Sequence, residues 1–167
     1  MEAVMKALAA IYLLLSLVAC QASPPAMTHA ERARIEAEVT AVGEQLMEAM
    51  NNLDVEALSA LYDPSSMHGN DGSVYYPTYA EWVAHVELLL GSFEELSSAW
   101  TNTRVDVLAP EAALFVGQSQ ARLKGAEQGE SREGYVTLVL RNLDGAWRII
   151  HQASVGRWAP TGSEQEG

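Results

Sequence analysis

Apolar residues recur at every third or fourth position from Ile35 to Phe93, then at every second position from Trp100 onward. The first period marks a helix with one buried face and the second a half-buried strand, so helices must come first and a sheet afterwards. Ile35, Val39, Val42, Leu46, Met50 and Leu53 form the stripe of a long first helix. Thr28-His29-Ala30-Glu31 is a capping box that starts this helix, with His29 exposed to solvent. Asp54 caps a short second helix carrying Ala57, Leu58 and Leu61, which Pro64 ends. A second capping box, Thr78-Tyr79-Ala80-Glu81, opens a third helix with Trp82, Val83, Val86, Leu89, Leu90 and Phe93 on its apolar side. Strands are predicted at Trp100 to Leu108, Ala112 to Lys124, Glu133 to Leu143 and Ala146 to Val155. Asn142 to Gly145 supplies the last turn, and Gly125 to Glu130 ("GAEQGE") reads as a hairpin loop. Short connections imply an antiparallel meander, and the whole is an α+β domain, three N-terminal helices packed on a curved antiparallel sheet.

The amino end differs in kind. Ala7 to Val18 is almost wholly apolar but shorter than the roughly 20 residues that span a bilayer. Lys6 precedes it and small residues follow, the order of a secretory signal over residues 1–19. Leu17-Val18-Ala19-Cys20 resembles the lipobox of bacterial lipoproteins, which implies that Cys20, the only cysteine, is lipidated after the signal is cut. Several acyl chains hold a protein firmly to a membrane surface. Gln21 follows where Asp would mark retention, so the expected place is the outer membrane, facing the periplasm. Residues 20–27 form the lipidated cysteine and a proline-containing tether, 28–158 the domain, and 159–167 a polar tail expected to be disordered. The length of 167 residues suits one such domain, and the net charge of -12 argues against nucleic acid as a partner.

Three stretches carry a family resemblance: "NNLDVEALSALYDP" at Asn51 to Pro64, "NDGSVYYPTYAEW" at Asn70 to Trp82, and "RNLDGAWRIIHQAS" at Arg141 to Ser154. Together they resemble the SnoaL-like branch of the nuclear transport factor 2-like superfamily, over roughly Ala30 to Arg157. The resemblance implies a cone in which a bent sheet wraps the helices around a pocket open at one end. It also implies a homodimer formed through the outer face of the sheet. That fold serves enzymes, small-molecule binders and assembly modules, so the residues must decide among them.

The ketosteroid isomerases of the superfamily need a carboxylate base and a tyrosine on the first helix, and no tyrosine occurs from Thr28 to Leu61. Asp71 is a candidate base, or a turn aspartate beside Gly72. A cyclase form would draw on His68, Asp71 and His151. Relatives often carry His-x-His on the last strand, but Ala153 takes the second place here, and His85 is expected on the exposed flank of the third helix, so neither metal nor cofactor is expected. Alternation puts Trp147, Ile149, His151 and Ala153 on one face of the final strand; with that face inward, His151 is either a packed histidine or part of a pocket wall. Tyr62, His68, Tyr75, Trp82, Trp100, Tyr135 and His151 form the predicted ligand-binding set, and Arg104 is expected to pair with Asp106 at the surface. The function expected is that of a membrane-anchored lipoprotein binding a small, mostly apolar molecule. The alternatives are an isomerase- or cyclase-type enzyme using His151 or Asp71 as general base, and a dimeric assembly module with a vestigial pocket.

Overall fold

A computed structural model describes residues 26–124 and 131–158. The expected signal peptide, Cys20, most of the expected tether, the expected loop at Gly125 to Glu130 and the expected disordered tail lie outside the described residues. Within them the order is α1 (His29–Asn51), α2 (Val55–Ser59), β1 (His68–Asp71), β2 (Val74–Tyr76), α3 (Tyr79–Gly91), β3 (Glu95–Ala109), β4 (Ala112–Lys124), β5 (Ser131–Leu143) and β6 (Ala146–Trp158).

The helix starts follow from their caps. The Thr28 hydroxyl accepts the Glu31 N–H at 3.2 Å while the Glu31 carboxylate accepts the Thr28 N–H at 2.8 Å. Those bonds also hold the exposed Glu31 carboxyl below its ordinary pKa. Asp54 caps α2 in the same manner, accepting from Ala57 N–H at 2.9 Å. Each cap satisfies amides that have no partner inside the helix.

The six strands form one sheet in the order β2-β1-β6-β5-β4-β3. The meander from β3 to β6 is antiparallel as expected. The expectation of an all-antiparallel sheet needs correction, because β1 pairs with β6 in parallel, His68 opposite His151 and Asp71 opposite Ser154. The short β1–β2 hairpin turns at Gly72, and its entry beside β6 follows from the preceding segment: Asp63 N–H reaches Ile149 O at 3.0 Å and Ile149 N–H reaches Leu61 O at 2.9 Å.

The long α1 lies across the concave face, against β3, β4 and β6. Ile35, Val39, Leu46, Phe115, Leu138, Leu140 and Ile149 are almost wholly buried between them. Burying one such side chain is worth about 1.5–3 kcal/mol. Polar clamps set the angle: Trp147 Nε1 donates to Glu38 at 2.9 Å, Arg32 donates to Val107 O at 3.0 Å, and the Asn51 side chain both accepts from and donates to the Ser98 backbone. Close approach is possible because α1 carries Gly43, where a Cβ would stand 2.6 Å from the Phe115 ring. Arg104 and Asp106 pair at 2.7 Å on the outside, where the sequence puts them.

Candidate functional site

Between the second half of α1, α3 and the sheet the cone holds a cavity of about 110 Å³. Its apolar wall includes Met47, Met50, Leu58, Trp82, Val86, Leu90 and Trp100. Met47 and Met50 come from the last turn of α1, and Trp82, Val86 and Leu90 from one side of α3 at helical spacing. Trp100 is pinned by its Nε1, which donates to Gly43 O at 3.1 Å. Such a sleeve admits a small hydrocarbon group, since cavities of this order take up benzene-sized molecules.

One end of the cavity is polar, and Asp71 is its centre. At the end of β1, Asp71 Oδ1 accepts from Ser154 Oγ at 2.9 Å and from Arg132 at 3.1 Å. Its Oδ2 faces His85 Nε2 at 3.4 Å, and the other ring nitrogen of His85 meets the Tyr76 hydroxyl at 2.9 Å. With Asp71 ionised, the pattern satisfying all three groups has Tyr76 donating to His85 Nδ1 and His85 turning Nε2–H toward Oδ2. Partial burial, and then the Asp71 charge, push the Tyr76 phenol above its ordinary pKa, which keeps it a donor. The rings of Tyr76 and His85 stack with centroids 4.4 Å apart. Thus Asp71 is fixed through one oxygen while the other is directed at an imidazole in the cavity wall.

Beside this group Tyr62, fully buried, donates its hydroxyl to Gln152 Oε1 at 2.6 Å. Burial pushes the Tyr62 phenol far up, so it stays protonated at any physiological pH.

The structure divides the predicted site residues. Asp71, Tyr62, Trp82 and Trp100 line the cavity, and Tyr135 stands at its margin with 57 % of its surface exposed. His68, Tyr75 and His151 do not line it. His151 and His68 lie ring against ring, centroids 4.7 Å apart, with Tyr75 edge-on to His68 and itself 59 % exposed. His151 Nδ1 contacts His68 O at 3.1 Å. The cause is a register shift between β5 and β6: Leu140 opposes Ile149, but the next residue, Val139, opposes His151, leaving Ile150 unpaired. This bulge reverses the alternation. Trp147 and Ile149 face the core, and beyond Ile150 the inward residues are Gln152 and Ser154, not His151 and Ala153.

His85 also departs from expectation. Its side chain is 18 % exposed and sits in the wall rather than on an open flank. Its place three residues after Trp82, on the same side of α3, is the signal that identifies it. Gln152, Ser154 and Arg132 carry no such local signal, because the bulge and the parallel β1–β6 pairing bring them in. Among the described residues, no group of three or more His, Cys, Asp or Glu side chains is placed to hold a metal ion.

Residues 39–156 match the sequence model of the SnoaL-like domain family. None of the curated proteins matches the chain. Among solved structures, a proposed dehydratase of the NTF2-like family from Streptomyces avermitilis superposes with a TM-score of 0.68 at 18% identity, covering 77% of this chain and 99% of the other. A type 2 hexachlorocyclohexane dehydrochlorinase (LinA) gives 0.67 at 13% identity, over 81% of this chain and 99% of its own. An NTF2-like protein of unknown function from Pseudomonas putida KT2440 gives 0.65 at 19% identity, over 81% and 93%. These likenesses establish the cone fold.

Proposed function

Because the chain belongs to the SnoaL-like domain family, we propose that it binds a small, largely apolar molecule inside its cone, at a membrane surface to which lipid on Cys20 attaches it. The observation carrying the proposal is the cavity of about 110 Å³, walled by apolar side chains from α1, α3 and the sheet with polar groups gathered at one end. Such a make-up is that of small-molecule sites in general. The anchored location rests on Leu17-Val18-Ala19-Cys20, and pairing of two copies through the outer face of the sheet belongs to the same proposal. Titrating methyl-labelled protein with benzene tests it. Saturable shifts confined to Met47, Met50 and Leu58 methyl groups are expected, and shifts that are absent or spread over the surface would refute it.

A second reading is favoured by the Tyr76–His85–Asp71 arrangement. In it the chain is an acid–base enzyme of the elimination or isomerisation kind, in which Asp71 Oδ2 takes a proton from the bound molecule and His85 steadies the charge. The dehydrochlorinase and the proposed dehydratase among the structural relatives are in keeping with it. On this reading Asp71→Asn removes turnover while leaving binding intact, and turnover surviving both Asp71→Asn and His85→Gln excludes it.

A further inference from the structure

Gln152 is 8 % exposed and lines the cavity. Its Oε1 accepts the Tyr62 hydroxyl, and its Nε2 meets no acceptor among the described residues. The Tyr62 phenol must place its proton on an acceptor, and the amide oxygen at 2.6 Å is the one it reaches. The amide oxygen is therefore occupied, and the N–H bonds are what Gln152 presents to the cavity.

A donor buried in an apolar wall selects molecules that bring an acceptor, because those lacking one leave it unpaired. Asp71 and Arg132, the charged groups of opposite sign in the wall, are joined to each other at 3.1 Å, so the wall favours an uncharged molecule. A carbonyl oxygen suits an amide N–H because it accepts without bringing a proton that needs an acceptor of its own. We infer that Gln152 receives the carbonyl oxygen of a small, uncharged ligand whose hydrocarbon part lies against Met47, Leu58, Val86 and Trp100. This rests on the binding reading above and adds the chemical class of the ligand. It also gives the Ile150 bulge a purpose, since Gln152 points inward only because of it.

The test compares cyclohexanone with methylenecyclohexane, the same ring with C=CH2 in place of C=O, by protein-observed NMR titration of the full chain. The ketone is expected to bind about tenfold more tightly, the scale of one hydrogen bond to a buried donor. Gln152→Leu should abolish that preference, and Tyr62→Phe, which keeps the shape and frees the amide to rotate, should reduce it. Equal or tighter binding of the hydrocarbon overturns the carbonyl assignment and leaves the binding reading standing. Failure of both probes to bind overturns the two together. A preference that persists undiminished in Tyr62→Phe or Gln152→Leu also overturns the assignment.

Discussion

Asp63 shows how much one buried side chain organises. It is 6 % exposed and follows Tyr62, the residue that orients Gln152. Its carboxylate accepts from the Ser66 hydroxyl, from Ser65 N–H at 3.0 Å and from Arg141 at 3.2 Å. Ser66 chiefly, then the Ser65 bonds and the Arg141 charge, hold the carboxyl below its ordinary 3.8 against the opposing effect of burial. A carboxyl lowered in the fold adds stability that is complete above 3.8 and is lost as pH falls through the folded value. Asp63→Asn is expected to destabilise the chain by about 1–3 kcal/mol at neutral pH. Urea unfolding should also show a shallower loss of stability below about pH 4 in the variant than in the wild type. His151 has the opposite chemistry and the same slope. Burial first, and His68 second, lower its imidazole from 6.5 against the His68 backbone contact, so the unfolded chain takes the proton more readily and stability falls as pH drops below 6.5. His151→Asn should flatten that portion of the stability profile, and a profile unchanged there would contradict the lowering of its imidazole in the fold.

At the scale of elements, α1 and β6 decide the site. In α1, Gly43→Ala sets a helix-propensity gain of about 1 kcal/mol against overpacking that costs about 1–3 kcal/mol. Phe115, 1 % exposed, has no room to retreat, so net destabilisation is expected in thermal unfolding. In β6, deletion of Ile150 would remove the unpaired residue while leaving His151 opposite Val139 and Gln152 opposite Leu138, so Gln152 and Ser154 should stay inward and binding of small probes should survive in chains that still fold. The elements themselves were legible because hydrophobic period reports which side of a helix or strand is buried. The capping box at Thr28, the Thr78 cap and the Asp144–Gly145 turn, both residues of which have positive φ, are local chemistry and equally readable, although at Thr78 the Glu81 carboxylate meets the hydroxyl and not the backbone N–H. The bulge was not: nothing in Ala146 to Ser154 marks a residue without a partner, since it is a property of the β5–β6 pair. The parallel seating of β1 on β6 was hidden for the same reason. Residue type alone therefore points to Asp71, whereas unbroken alternation sends Gln152 to the opposite face, and the apolar stripe of α3 leaves His85 on its polar flank although the structure seats it in the cavity wall.

For the molecule as a whole, the cone is a helix-filled sheet packed tightly around Phe115, with a cavity lined by Leu46, Met47 and Met50 toward the end of α1. That division separates stability from function: Ile35, Val39 and Leu138 hold the narrow end, while Met47, Trp82 and Asp71 line the open one. Changes at the narrow end should lower stability without altering ligand preference, and those at the open end should alter ligand preference, with truncation of the buried Trp82 lowering stability as well. Native mass spectrometry of the protein purified from its own cells asks whether the open end holds a molecule there. A non-covalent adduct of one small neutral molecule per chain is expected, lost in a variant with Val86→Trp filling the cavity, whereas bare protein in both samples would contradict the proposed binding.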